Sequence, residues 1–300
     1  MLSVLPEVAD ALASGAPVVA LESTIISHGL PRPENLRVAR EIEQAVRRGG
    51  AVPATVAVVD GHPCIGLDDA ALEQVANRDD VVKVSTRDLA TLVARKGMGA
   101  TTVAATSHLA ALAGIGVFAT GGLGGVHRDA RSTWDESADL QGLASTDITI
   151  VCAGVKSILD VGATLERLET LGVGIVGYRT NRFPGFFISD SGYPLDWSAD
   201  SPQQVADMLR AQREQGVHRG ALIVANPLPP DEQLDPELHD EVLLTGLSKL
   251  DTEQIVGKAV TPFLLSHFHS ATQGLSLAVN VRLILRNAAL AAQIAARTVS

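Results

Sequence analysis

Aromatic residues are scarce in the 300-residue chain: six Phe, two Tyr and two Trp make up 3% of it. A surface that stacks nucleic-acid bases needs more rings, together with a basic stripe. Basic charge is short as well, with 24 Lys and Arg against 34 Asp and Glu and a net charge of −10. Together these shortages argue against a nucleic-acid partner. An anionic small molecule must be held locally, by backbone N–H groups and one or two cations. Cysteine is limited to Cys64 and Cys152, each inside an apolar run (HPCIGL and ITIVCAG), where a thiol acts as a small buried hydrophobe. No CxxC or Cys/His spacing of a metal site is present. No apolar run reaches the ~18 residues that suggest a bilayer span. The N-terminal MLSVLPEVADALASG carries acids and lacks the basic region of a signal peptide. The expectation is a soluble, cytoplasmic protein without a membrane partner.

Small apolar residues are plentiful. Hydrophobic residues make up 46% of the chain, carried by Ala and Val, which with the many glycines suits tightly packed helix-on-sheet layers. VVAL (18–21), AVPATVAVV (51–59), VVKVS (81–85), VFAT (117–120), ITIVCAG (148–154), VGIVGY (173–178) and ALIVAN (221–226) read as strands. They are mostly continuous runs rather than alternations, the pattern of strands buried on both faces. Helical patterns fall between them at 34–48, 157–171, 202–215 and 275–297, with Gly49-Gly50 and Gly172 as stops. The alternation predicts an α/β fold: a layered α/β/α arrangement with a largely parallel or mixed central sheet. The Pro-rich, acidic NPLPPDEQLDPELHDE (226–241) reads as a surface loop rather than a linker, so residues 1–300 are expected to form a single domain.

Five features bear on chemistry. ATGGLGGVHRDA (119–130) follows a strand, the setting of a phosphate cradle, with Thr120, Gly122 and His127 as candidate contacts. It is neither a dinucleotide nor an ATP loop, and a purely structural glycine turn is the competing reading. Lys83 is either an edge-strand lysine that snorkels or a strand-end cation for a phosphate or sugar. Lys156 stands after a buried strand and an Ala-Gly turn, where α/β active sites form. Placement at a helix N-terminus would disfavour its charge and leave amine free for nucleophilic attack; the alternative is a surface lysine. Glu22 ends the first buried strand, as a general acid/base or as a cap of the turn. Asp135, Glu136 and Asp139 lie within five residues, either as ligands of a hard divalent ion or as helix N-terminal acids capped by Ser137. His28, His108, His127, His267 and His269 form no HExxH-type pair, which argues against zinc.

Long segments of the chain resemble one family. ALESTIISHGLPRPEN (20–35), GAVPATVAVVDG (50–61), VVKVSTRDL (81–89), GATTVAAT (99–106), FATGGLGGVHR (118–128), SADLQ (137–141), VCAGVKSILD (151–160) and NPLP (226–229) are similar to motifs of the pseudouridine-5′-phosphate glycosidases, the indigoidine synthase A-like family. The resemblance runs from about residue 5 to 297. It implies a lyase of nucleotide catabolism that interconverts pseudouridine 5′-phosphate and water with uracil and ribose 5-phosphate, through a Schiff base. It implies Lys156 as nucleophile and Glu22 as proton donor. It implies Asp135 as ligand of one Mn²⁺ per subunit, other divalent ions being possible. Lys83, Thr102, Val103, Ser137, Ala138, Asp139 and Asn280 are implied as substrate contacts, and a homotrimer as the assembly. GYRTNRFPGFF (177–187) departs from the family pattern, with Arg182 at an acidic position, and RDARSTWDES lacks a Glu-rich run. Another Schiff-base sugar-phosphate lyase or aldolase, or a non-catalytic metabolite-binding protein of the same fold, are the alternatives.

Overall fold

The structure is a computed structural model that describes residues 2–216 and 220–298, without the side chain of Lys258. Its strands are β1 (Ser3–Val4), β2 (Val18–Leu21), β3 (Val52–Val59), β4 (His62–Ile65), β5 (Val82–Val84), β6 (Gly99–Thr101), β7 (Val117–Ala119), β8 (Thr149–Cys152), β9 (Gly174–Tyr178), β10 (Ser198–Ala199) and β11 (Leu222–Ala225). Its helices are α1 (Pro6–Ala13), α2 (Glu34–Arg48), α3 (Asp69–Asn77), α4 (Leu89–Ala94), α5 (Val103–Leu112), α6 (Ala130–Thr133), α7 (Ala138–Ala144), α8 (Val161–Thr170), α9 (Pro202–Gln215), α10 (Pro236–Glu253), α11 (Val260–Ala271) and α12 (Leu275–Thr298).

One mixed sheet runs β1-β4-β3-β2-β7-β8-β11-β9-β10, with β6 on β3 and β5 beyond β6. All pairs are parallel except β3–β4 and β3–β6. The central strands are buried along their whole length, as their unbroken apolar runs require. β3 serves two neighbourhoods. Residues 52–55 pair with β2, whereas Val56–Val59 turn to β4 and β6. A second, smaller core of Ile26, Leu72, Val75, Met98 and Ala100 lies under that outer half.

Helix α2 buries Val38, Ala39, Ile42, Ala45 and Val46, one stripe of a 3.6-residue period. It packs on α12, and a Cβ on Gly49 would stand 2.5 Å from the Ala292 methyl, so glycine permits the close approach. α12 is long and apolar enough to pass for a membrane span by composition, but half of it is buried against the rest of the chain, as a core helix is.

Two expectations are corrected here. The helix predicted over 157–171 begins only at Val161, because Asp160 caps it by accepting from the Ala163 N–H at 2.9 Å. Residues 226–241 are not all loop: Asp235 caps α10 by accepting from the Leu238 N–H at 3.0 Å, and Pro236 occupies the first turn, where its missing N–H costs nothing.

Candidate active site

Parallel strands β2, β7 and β8 are neighbours, so the loops that follow them lie side by side at their carboxyl ends, where ligands of open α/β sheets bind. Glu22 leaves β2, Thr120 leaves β7 and Lys156 follows β8. The turn after Glu22 is fixed by its own sequence. The Ser23 hydroxyl donates to the Val56 carbonyl at 2.6 Å and accepts from the Thr101 N–H at 2.9 Å. The Thr24 hydroxyl donates to the Thr101 carbonyl at 2.8 Å. The Thr120 hydroxyl donates to a Glu22 carboxylate oxygen.

Four charged groups converge. Burial pushes the Glu22 carboxyl above its usual range, opposed first by the charge of Lys156, then by the Thr120 hydrogen bond, while Asp139 adds to the rise and Lys83 opposes it. Lys83 remains open to solvent, yet the protein packed around its ammonium holds it below the usual lysine range. The positive charge of Lys156 lowers it further, and Asp139 and Glu22 pull it back. His28, on the turn after Glu22, is depressed by burial and by the Lys83 charge. Lys156 itself is half-buried, so it neither dangles in bulk solvent nor is sealed away.

Lys156 is not in the first turn of a helix, contrary to expectation, so the dipole of α8 does not account for its reactivity. It lies in an irregular turn five residues ahead of α8, where its N–H donates to the Leu123 carbonyl at 3.2 Å and its carbonyl accepts from the Leu159 N–H at 2.9 Å. The approach to that turn needs glycine: Gly154 has φ +79°, and a Cβ there would be 2.2 Å from the Pro184 carbonyl oxygen.

The glycine loop is a packed element more than an open cradle. Four of its N–H groups are spent on the protein: Leu123 on Gly154 O at 2.9 Å, Gly124 on Asp139 Oδ2 at 2.9 Å, Val126 on Thr164 Oγ1 at 2.9 Å and His127 on Asp135 O at 3.0 Å. Gly122 lies against the Phe186 ring and Gly124 against Ser137 and Asp139, so neither has room for a Cβ. Asp139 is buried. Its other oxygen accepts from the Ala104 N–H at 3.0 Å, which ties the loop to the start of α5. There Thr102 is the N-cap and Val103 the first residue, so the Val103 N–H has no intrahelical acceptor and is available to an anion. Ser137 caps α7, accepting from the Asp139 N–H at 3.2 Å, as expected, and Ala138 is exposed beside it. Asn280 reaches the same place from α12: a Cβ on Gly121 would stand 3.5 Å from its Oδ1 and 3.5 Å from the Phe186 ring.

The three neighbouring acids do not form one ligand set. Glu136 pairs with Arg167 at 3.0 Å and Asp139 serves the two backbone amides, which leaves Asp135 facing His127 Nδ1 at 3.8 Å. Among the described residues no group of three or more His, Cys, Asp and Glu side chains converges on a metal position. Burial lifts the Cys152 thiol to about 12. Two open hollows of about 440 and 400 Å³, one along α2 and one beside His108, Asp147 and Arg213, lie away from the cluster.

Several supporting residues carry no sequence signal. Asn287 is fully buried on α12; its amide donates to the Thr120 carbonyl at 2.8 Å and its oxygen accepts from Asn226 at 2.9 Å. Phe186 is buried with φ +61°, a left-handed conformation that a bulky residue adopts only when its surroundings force it. Within GYRTNRFPGFF, Arg182 pairs with Asp190 at 2.9 Å, so that departure from the family pattern is satisfied locally.

Residues 7–297 match the family described as indigoidine synthase A-like protein. A relative in Salinispora tropica, 70% identical over 96% of this chain and 89% of its own length, is named pseudouridine-5′-phosphate glycosidase. One in Symbiobacterium thermophilum with the same name is 52% identical over 98% of this chain and 97% of its own. Among solved structures, the prealnumycin C-glycosynthase AlnA in complex with ribulose 5-phosphate aligns with a TM-score of 0.92 at 36% identity, over 100% of this chain and 97% of that one. An indigoidine synthase A-like protein of Thermotoga maritima aligns at 0.90 and 36%, with the same coverage.

Proposed function

The chain belongs to the indigoidine synthase A-like family, and from that membership we propose that it is an enzyme, a pseudouridine-5′-phosphate glycosidase, which interconverts pseudouridine 5′-phosphate and water with uracil and ribose 5-phosphate. One observation carries the chemical part of the reading: Glu22 and Lys156 come from the carboxyl ends of β2 and β8, which flank β7, and the charge of Lys156 acts on the Glu22 carboxyl.

A carbon–carbon glycosidic bond offers no leaving-group heteroatom to protonate, so the two-carboxylate route of ordinary glycosidases does not serve. In the proposed mechanism Glu22, kept protonated beyond the usual carboxyl range by burial, protonates the ribose ring oxygen as the ring opens. The anomeric carbon becomes conjugated with the uracil carbonyl, the Glu22 carboxylate left by that transfer takes a proton from the Lys156 ammonium, and the amine adds to that carbon. Protonation of the uracil ring carbon breaks the carbon–carbon bond, releases uracil and leaves a ribose imine on Lys156. Water hydrolyses the imine to ribose 5-phosphate and free lysine. Lys83 and the Val103 N–H are the groups suited to hold the phosphate, and Ser137, Ala138 and Asp139 are proposed as further substrate contacts. Thr120 orients the Glu22 carboxylate, and Asn280 is suited to the uracil. The packed glycine loop supplies rigidity for this alignment, and Gly122 and His127 are proposed as its contacts with the substrate.

A Mn²⁺ ion, or another divalent cation, is proposed at Asp135. One free carboxylate with His127 beside it suits an ion that keeps most of its waters, and the ion would supply positive charge near the phosphate. A homotrimer is proposed as the assembly, for which exposed Trp134, Trp197 and Leu244 offer apolar surface; light scattering gives the mass. We also propose a single domain working in the cytoplasm, supported by a main core that runs from α1 to α12 and by two unpaired cysteines. The test is to mix protein, Mn²⁺, uracil and ribose 5-phosphate. Formation of the coupled nucleotide supports the reading, whereas carbon–carbon cleavage of a sugar phosphate with no use of uracil identifies another Schiff-base lyase.

A further inference from the structure

Helix α10 sends one buried titratable side chain toward the nucleophile's turn, and the mechanism above gives it nothing to do. His239 is 2% exposed, and its Nε2 lies 2.7 Å from the hydroxyl of Ser157, the residue next to Lys156. Its Nδ1 lies 2.9 Å from Asp240 Oδ1, and the Phe268 ring of α11 packs against the imidazole at 5.5 Å between centroids. Ser157 is buried too, at 4%. A carboxylate only accepts, so the ring proton sits on Nδ1 and Nε2 accepts from the Ser157 O–H. Burial holds the imidazole below its usual range against the pull of Asp240, with the Arg128 guanidinium adding to the lowering.

From these contacts we infer that His239, oriented by Asp240, is a positioning residue for Lys156: it fixes Ser157 and with it the turn from which the nucleophilic amine projects. The turn is held from two directions. Arg128, at the end of the glycine loop, donates to the carbonyls of Ser157 at 2.9 Å and Ile158 at 3.3 Å. His239 holds the Ser157 hydroxyl from α10. Arg128 fixes backbone and His239 a side chain, so the two restraints are independent. The chemical role rests on the function proposed above; the structural coupling does not. A serine–histidine–aspartate chain also suggests a hydrolytic nucleophile, but Ser157 has no open surface for a substrate and its hydroxyl is spent on the ring.

The experiment uses four variants of the full-length protein: His239→Leu, His239→Gln, Ser157→Ala and the double variant His239→Leu/Ser157→Ala. Hydrogen exchange of the peptide spanning residues 153–160 and steady-state kinetics are measured on each. Glutamine can still accept the serine proton, so His239→Gln is expected to keep near-native exchange and rate. His239→Leu is expected to speed exchange in that peptide and to lower kcat by ~10-fold or more, with KM within about twofold. Ser157→Ala is expected to reproduce this, and the double variant to add nothing, because both act through one contact. Unchanged exchange in His239→Leu, additive losses in the double variant, or no rescue by glutamine overturns the inference. Should the wild-type protein make no nucleotide from uracil and ribose 5-phosphate, the functional reading falls, while the exchange data still judge His239.

Discussion

Replacing Asn287 with alanine removes a residue that touches no reacting atom yet fixes the loop that holds Glu22. Its amide donates to the Thr120 carbonyl at 2.8 Å and more weakly to the Gly121 carbonyl at 3.4 Å, and its oxygen accepts from the Asn226 amide at 2.9 Å. The site is fully buried, so water cannot take over. The variant leaves a buried carbonyl and an amide group unsatisfied, each costing about 1–3 kcal/mol. The total is about 2–6 kcal/mol, to which the small cavity adds, and it lowers the thermal midpoint by roughly 5–20 °C for a chain of this size. Thr120 also carries the hydroxyl that orients Glu22, so kcat well below the midpoint should fall ~10- to 100-fold, the range that sub-ångström to ångström misplacement produces. The assay is a melting curve beside kcat and KM at 25 °C. A midpoint within a degree of wild type together with full kcat would refute the reasoning that α12 supports the acid from behind.

Three further outcomes are expected. Thr120→Val removes a hydrogen bond that lowers the Glu22 pKa, so the carboxyl rises further; a rate limited by protonated Glu22 is lost as pH climbs through that pKa, and the alkaline limb of kcat/KM should move upward, a downward move being inconsistent. Phe186→Ala should cost about 3–5 kcal/mol for the lost ring. Phe186→Gly should be no less stable than the alanine variant, because glycine relieves the +61° φ, and chemical denaturation compares the two. Gly154→Ala meets both a positive φ and the Pro184 carbonyl, and should destabilise the protein and abolish measurable turnover, with circular dichroism to show what remains folded.

The parallel core was legible because strands buried on both faces write themselves as unbroken apolar runs: VVAL, VFA, TIVC and LIVA all fall where the pattern places them. Helices α2, α9 and α12 were legible, α2 from its apolar stripe. α5 was not, since VAATSHLAAL is buried on nearly every side and shows no stripe. The β3–β4 hairpin was missed although Asp60-Gly61 supplied its signal; both residues have positive φ, 46° and 79°, as a tight hairpin turn requires. α10 was hidden by a Pro-rich, acidic lead-in that reads as loop until Asp235 is recognised as a cap. In the site, Glu22 and Lys156 were legible from their places at strand ends. The buried supports, Asn287, His239 and Phe186, were not, because their roles depend on contacts across more than 30 residues of sequence. The glycine loop suggested an open phosphate cradle, but a sequence cannot show that Asp139, Thr164 and Gly154 consume its amides.

The most direct measurement is chemical trapping. Incubation with ribose 5-phosphate and borohydride, followed by peptide mapping, should place one reduced sugar phosphate on Lys156 and none on Lys83, and Lys156→Ala should yield neither adduct nor turnover. An adduct confined to another lysine, or a Lys156→Ala enzyme that turns over at the wild-type rate, would contradict the account.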